Sequence, residues 1–472
     1  MTHFGIICPP YPGHINPLSA LGRELQIRGH RVTFLQISDL EFKIRSEGVD
    51  FYPIGQSIYR PGLLAETFQN LAKLSEIEAL RYSVNFCQMV TEIICQDAPK
   101  AIKATGIEAV LVDQLEPAGE TIAQYLNLPF ICISSGQAIH RTPDVPPFFT
   151  PWSYNNAWWA RLRNQVAYYI LDRSCQPIIK TINKYRDRWK LPPYHHIYST
   201  SAQLAHISQQ PAAFDFPCPN LPKHVHYVGP FRNSSPQKVS FPFEQLTGQP
   251  LIYASLGSVQ NTKADVFYTI ATACEKLDVQ LVITHGGGMN AEAVEKLPGS
   301  PLVVEYAPQL EVLDKASLTI THGGMNTVLD SLSYGVPLVA IPITFEQPGT
   351  GARVKWTGVG EVIPVTQLSV TRLKDTIQRV MRDDFYLQNA LSIKQAISQA
   401  GGVKQAADII EQAISAVEQR CLVPEFNYCL KTLNLSPVSN PPDDSITLYE
   451  RRKIKEAFLL QIRVMMGYST AI

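Results

Sequence analysis

The first half of the chain is punctuated by continuous apolar runs at Phe4–Cys8, Val32–Ile37, Ala109–Val112 and Phe130–Ile133, with helical stretches between them. Runs that stay apolar, instead of alternating with polar residues, predict strands covered on both faces. Strand–helix alternation then predicts a parallel, doubly wound sheet. The first helix has its own signals: Asn16 as cap, Pro17 at the first helical position, a stripe of Leu18, Leu21 and Leu25, and Gly29 at its end. A second strand–helix series follows at Leu251–Ser255, Leu281–Thr284, Leu302–Tyr306, Leu318–Thr321 and Leu338–Ile341, closed by a helical region over Leu387–Val417. Proline, glycine and serine thicken from Pro211 to Pro250, around Val228-Gly229-Pro230 and Asn233-Ser234-Ser235-Pro236, as expected of a linker. The pattern predicts two α/β domains, residues 1–235 and 236–420, and an extension over 421–472.

One stretch carries a specific chemical expectation. Leu318 to Ile320 reads as a strand end, followed by His322-Gly323-Gly324 and a helix start at Asn326-Thr327. The helix has apolar Val328, Leu329 and Leu332 and stops at Gly335, with Pro337 beyond. Strand, glycine turn and helix together aim free backbone N–H groups and a positive helix-dipole end at one point. A phosphate is the natural ligand there, with His322 as an added donor and Asp330 one turn further on.

Composition narrows the class. The chain has 472 residues, too many for one ordinary core, and is 45% hydrophobic and 17% charged. Its formal net charge is zero, so nothing electrostatic favours a nucleic-acid partner. The nine cysteines form no CxxC pair, which suits a reducing compartment better than a disulfide scaffold or zinc site. The first strand begins directly at Phe4, and no apolar run approaches the roughly 20 residues of a membrane span, so a cytoplasmic location is expected. No Asp-x-Asp motif stands near a strand end; Asp383-Asp384 and Asp443-Asp444 fall in helix-like or loop contexts, so no metal is expected.

Two further elements flank the central stretch: Tyr306-Ala307-Pro308-Gln309 upstream and Pro342-Ile343-Thr344-Phe345-Glu346-Gln347 downstream. The block from Tyr306 to Gln347 resembles the donor-binding signature of family-one, nucleotide-sugar-dependent glycosyltransferases, in the bacterial branch of zeaxanthin and macrolide glycosyltransferases. That resemblance implies a GT-B fold, two Rossmann-like domains facing across a cleft, and often a terminal helix crossing back to the first domain. It implies a UDP-sugar as co-substrate, no metal or other cofactor, and an inverting transfer of a hexose to an apolar hydroxylated acceptor such as a carotenoid, terpenoid or polyketide. It assigns the general base to His14 in Pro12-Gly13-His14-Ile15-Asn16-Pro17 and its orienting carboxylate to Asp113, at the end of Ala109–Asp113. On the donor side it implies a phosphate contact at Ser258, base stacking by Tyr306 and reading of the base edge by Gln309. Diphosphate contacts fall to His322, Gly324, Asn326 and Thr327, ribose contact to Asp330 and sugar contacts to Glu346 and Gln347. Tyr306 and Met325 stand where plant members carry tryptophan, and Asp330 where they carry glutamate.

Other readings stay open at this point. Two such domains also build sugar-nucleotide 2-epimerases, and a non-catalytic nucleotide-sugar binder would share the cradle. Both His14 and Asp113 are present, and no further set of cleft carboxylates stands out. A dinucleotide oxidoreductase lacks its G-x-G-x-x-G after a first strand. The proline- and aromatic-rich residues 140–200, with Phe148, Phe149, Trp152, Tyr154, Trp158, Trp159, Tyr168, Tyr169, Tyr185 and Trp189, read as a helical excursion packed on the first domain and as a lid over an apolar acceptor pocket. Tyr449 to Met466 reads as a docking helix, or as peripheral membrane contact through Arg451, Arg452, Lys453, Lys455 and Arg463; interruption by Glu450 and Glu456 favours docking.

Overall fold

The structure, a computed structural model, describes the chain apart from residues 72, 73, 75, 200, 203, 233–238, 259, 260 and 433–472, and describes 76, 77 and 418–432 by backbone alone. The tail reading at 449–466, and Asn233-Ser234-Ser235-Pro236, lie outside the described residues. Residues 1–414 form one compact unit; from Ser415 the chain belongs to a second. Among the described residues no helix is long and apolar enough to cross a membrane.

The first sheet contains β1 (His3–Ile7), β2 (Arg31–Gln36), β3 (Asp50–Pro53), β4 (Ala109–Asp113), β5 (Phe130–Ser134), β6 (His206–Ser208) and β7 (Val225–Tyr227). They are parallel, in the order β3-β2-β1-β4-β5-β6-β7. The second contains β8 (Leu251–Ser255), β9 (Gln280–Thr284), β10 (Leu302–Val304), β11 (Ala316–Thr321), β12 (Leu338–Ala340) and β13 (Gly360–Val362). These too are parallel, in the order β10-β9-β8-β11-β12-β13. This is the expected pair of doubly wound sheets. The largely apolar central strands, β1, β4 and β8, are buried along their whole length, because helices cover both faces.

The strand order fixes where ligands can bind. In each sheet it reverses once, between β1 and β4 and between β8 and β11. A crevice opens at such a switch point, outside the carboxyl ends of the strands. Ile7 pairs with Val112 and Ser255 with Thr321, so the loops after these four strands flank the two crevices.

Two expected boundaries shift. The first helix spans Pro12–Ile27, with Pro12 in its first turn and Pro17 inside it; Asn16 is not its cap. The stretch from Pro211 also holds β7, so the connection between the sheets begins only after Tyr227. The part of the Gly402–Thr432 helix up to Ile414 packs on the first lobe, where Ala406, Ala407, Ile410 and Ile414 join the core around β1. Arg28 anchors it through Asp408 and Glu411 at 2.5 and 2.8 Å, and His30 reaches Glu411 at 3.0 Å.

A second fastening lies deeper. Arg353, on the Gln347–Thr357 helix of the second lobe, donates from Nε to Asp215 of the first at 2.7 Å and lies 4.4 Å over the Phe216 ring. Both charged groups are almost wholly buried. Burial alone would raise the Asp215 pKa; the Arg353 charge, with His140 and Tyr227, holds it far below the usual carboxylate range. One helical turn earlier, a Cβ on Gly349 would collide with the Phe148 carbonyl of the first lobe, so only glycine permits this approach. Removing one partner of a buried pair strands the other charge. Arg353→Ala is expected to cost about 3–5 kcal/mol in urea unfolding, with part regained in an Arg353→Ala, Asp215→Asn double variant. A cost within about 1 kcal/mol would show that the pair is not holding the lobes.

Candidate active site

His14 lies in the first turn of the Pro12–Ile27 helix, directly after β1, and Asp113 is the last residue of β4. The switch point of the first sheet therefore brings them together, His14 Nδ1 standing 3.0 Å from Asp113 Oδ2. Ser135, just past β5, completes a triangle: its hydroxyl lies 2.7 Å from the same Nδ1 and also donates to Asp113 Oδ2 in a very short contact. Asp113 is 1% exposed and His14 14%. With Nδ1 engaged twice, the ring is held in one orientation, and among the described residues no hydrogen bond engages Nε2. Burial lowers the His14 pKa, but the Asp113 charge and hydrogen bond, with the charge of Glu346, outweigh it and leave the net value raised above 6.5.

The second sheet supplies the opposite wall. His322 follows β11, and its ring is wedged between Gly257 and Gly324. A Cβ on either glycine would come within 2.6 Å of the imidazole. Burial pushes the His322 pKa down to about 4, against a smaller opposing pull from the Ser255 carbonyl, so the ring is neutral near pH 7 with one N–H to donate. Gly324 caps the Met325–Ser333 helix without a side-chain acceptor, and among the described residues no hydrogen bond outside the helix engages the N–H groups of Met325, Asn326 and Thr327. Glu346 ends a tight turn in which Phe345 takes a left-handed conformation, φ 55°. It is near enough to His14 for the two charges to shift each other.

The two walls meet through Asn326. Pro17 has no N–H, so the Gly13 carbonyl four residues back receives no helical hydrogen bond. Asn326 Nδ2 supplies one instead, at 2.8 Å. The Asn326 side-chain oxygen accepts from Gln209 Nε2 at 2.8 Å, and Gln209 also donates to the Ser135 carbonyl in a very short contact. Arg232 extends the chain, donating to Asn326 at 3.3–3.4 Å and forming a close ion pair with Asp330. Asp330 accepts from Gln309 Nε2 at 2.6 Å, and Gln309 Oε1 accepts from the Tyr253 hydroxyl at 3.0 Å.

Of the residues singled out in the sequence, the structure joins His14 to Asp113 and Gln309 to Asp330 by hydrogen bonds and sets Gly324 against the His322 ring, with differences in detail elsewhere. Asn326 does not start its helix; Met325 does, and Asn326 spans the lobes. Gln309 has both ends of its amide engaged, so paired reading of a base edge would require it to release Tyr253 and Asp330. Gln347 is buried, and its oxygen accepts from the Ile343 and Thr344 N–H groups at 2.9 Å, leaving only Nε2 for a ligand. Tyr306 is 58% exposed at the rim and Ser258 is exposed beside Gly257, while Thr327 is buried in the helix's first turn. Among the described residues no three His, Cys, Asp or Glu side chains cluster closely enough to hold a metal ion.

The sequence reading missed Ser135, Gln209 and Arg232. It also missed the aromatic wall beside His14, where the Tyr11 ring centroid lies 6.2 Å from His14, 5.8 Å from Phe68 and 6.3 Å from Phe86. Of the aromatics in 140–200, Tyr168 and Tyr185 pack inward, whereas Trp158, Trp159 and Tyr169 point to the exterior.

The family described as UDP-glucoronosyl and UDP-glucosyl transferase matches residues 21–399. The chain belongs to this family. It is 36% identical to a zeaxanthin glucosyltransferase of Pantoea ananas, over 88% of this chain and 96% of the relative. A second zeaxanthin glucosyltransferase, of Pseudescherichia vulneris, is 34% identical over 89% and 99%. Among solved structures, the calicheamicin glycosyltransferase CalG4 superposes with a TM-score of 0.67 at 19% identity, over 88% of this chain and 98% of that one. The glycosyltransferase VinC in complex with dTDP does so with 0.62 at 16% identity, over 88% and 100%. The fold is GT-B and the protein is a glycosyltransferase, so the epimerase and non-catalytic readings fall away.

The electrostatics of this glycosyltransferase can be tested directly. Imidazole NMR should place the His14 pKa above 6.5 in the wild type and below it in Asp113→Asn, where burial is opposed by Glu346 alone. Because the folded-state value is raised, the stability the pair contributes is fully present below pH 6.5 and is lost as pH rises through the His14 value. An unchanged His14 titration in Asp113→Asn would contradict the pairing.

Proposed function

We propose that the enzyme moves a hexose, with glucose the leading candidate, from a UDP-sugar to a hydroxyl of an apolar small molecule, by metal-independent, inverting displacement. The observation that supports this most is the oriented, elevated-pKa His14 standing next to Gly13, the residue that Asn326 grips from the donor-side helix. A base on one lobe then meets a helix start on the other.

In this reading the transfer is a single displacement. His14 Nε2 takes the proton of the acceptor hydroxyl while its oxygen attacks the anomeric carbon. The bond from that carbon to the diphosphate oxygen breaks, and nucleoside diphosphate leaves. One displacement inverts the anomeric centre. Asp113 stabilises the imidazolium, and Ser135 fixes the ring's rotation. The N–H groups at the start of the Met325–Ser333 helix, with neutral His322 and Ser258, receive the negative charge, an arrangement that needs no cation. Asp330 is the ribose partner, Tyr306 the base-stacking platform, and Glu346 with the Gln347 amide the sugar contacts. Tyr11, Phe68 and Phe86 would lie against an apolar acceptor, and the zeaxanthin-modifying relatives suggest a hydroxylated carotenoid.

Purified protein with UDP-glucose and a hydroxylated carotenoid should release UDP and form the glucoside in the presence of EDTA. His14→Ala should lose about 10²–10⁴-fold in turnover. Ser135→Ala should lose less, with its pH profile displaced from that of the wild type. Absence of UDP release with any donor–acceptor pair would defeat the proposal, and full dependence on a divalent ion would defeat its metal-free part.

A further inference from the structure

The Trp158–Ser174 helix turns one face inward, burying Ala160, Asn164, Ala167, Tyr168 and Asp172. Asn164 and Tyr168 tie it to the loop beyond β5 through the Pro143 and His140 carbonyls, at 2.8 and 3.0 Å. The other face is open. Trp158, Trp159, Leu162, Val166, Tyr169 and Ile170 are 47–77% exposed. At roughly 100° per residue they fall within an arc of about 120° and make one continuous stripe along the helix. Scattered exposed apolar residues are ordinary; a stripe of this length on one helix marks an interaction surface.

Charge decides what fits it. Arg161 flanks the stripe on one side, Arg163 on the other, and Arg173 lies toward its end. Arg161 pairs with Asp144 at 3.1 Å, and the Arg163 guanidinium lies over the Trp152 and Trp159 rings, 4.2 and 5.5 Å from their centroids. The helix's single acid, Asp172, is buried and paired with Arg141. Two copies of this face brought together about a two-fold axis would set arginines against arginines. An anionic bilayer meets both features at once: indole and phenol rings settle at the depth of the headgroups, aliphatic side chains reach below, and arginines meet phosphates.

We propose that the Trp158–Ser174 helix docks this enzyme on an anionic membrane surface. The proposal goes beyond the reaction above and does not depend on which acceptor is used. The test is sedimentation of the full chain with vesicles of mixed phosphatidylcholine and phosphatidylglycerol. Binding that weakens with salt is expected, together with quenching of tryptophan fluorescence by brominated lipid. A Trp158→Ser, Trp159→Ser, Tyr169→Ser variant should bind about tenfold more weakly with an unchanged melting temperature, since these rings contribute little to the interior. Should that variant melt early, an Arg161→Gln, Arg163→Gln, Arg173→Gln variant tests the same face through loss of the preference for anionic lipid. Three results would overturn the proposal: no vesicle binding by the wild type; wild-type binding in both variants, with loss only on substitution within 449–466; or a dimer in light scattering that the aromatic variant splits while vesicles bind neither protein.

Discussion

The chemistry proposed for this enzyme depends on one contact between its lobes, the hydrogen bond from Asn326 to the Gly13 carbonyl. A proton acceptor on the first sheet and an anion cradle on the second are useful only if held in register. Pro17 makes the contact available by withholding the N–H that would otherwise bond Gly13 within the helix. Asn326 uses it from the first turn of the helix that would face the diphosphate. One residue further along each helix are His14 and Thr327. The contact is then supported from behind, because Gln209 holds Asn326 on one side and the Ser135 carbonyl on the other. A single hydrogen bond is worth only about 0.5–1.5 kcal/mol. Here it is one member of a string running from Asp113 through Ser135, Gln209, Asn326, Arg232 and Asp330 to Gln309. The buried Arg353–Asp215 pair and the segment from Gly402 to Ile414 fasten the fold at further points.

Two histidines at the two switch points are driven in opposite directions by their surroundings. Both are desolvated, which disfavours the charged ring. At His14 the Asp113 carboxylate, with the charge of Glu346, more than reverses that penalty. At His322 no carboxylate answers it, and the value falls to about 4. In the proposed reaction the first ring is the one that takes up a proton, while the second serves as an uncharged donor. Exchanging the two environments would leave neither group suited to its place.

Much of this was legible in the chain because the strongest signals are local. Uninterrupted apolar runs mark the central strands, and the glycine turn at 323–324 marks the start of the Met325–Ser333 helix. What escaped depends on contacts distant in sequence. β6 and β7 are three residues each and contain His206 and His226, so they carry no apolar run, and Gln209 at the end of β6 escaped with them. Tyr11, Phe68 and Phe86 are spread over three elements and meet only once β1 and its helices are assembled. Pro17 suits a helix start because proline favours that place, but it lies inside the helix, and the missing interior bond is made good from the other lobe. Gln309 and Gln347 looked free as sequence, yet their amides are engaged by neighbours that only the fold supplies.

The most direct measurement is a crystal structure of the full chain with UDP and a hydroxylated acceptor bound. The expected result has the diphosphate on the backbone N–H groups of Met325 to Thr327 beside His322, the acceptor oxygen within hydrogen-bond reach of His14 Nε2, and the Asn326–Gly13 bond intact. A diphosphate bound elsewhere in the cleft, or an acceptor hydroxyl out of reach of His14, would contradict the proposed chemistry.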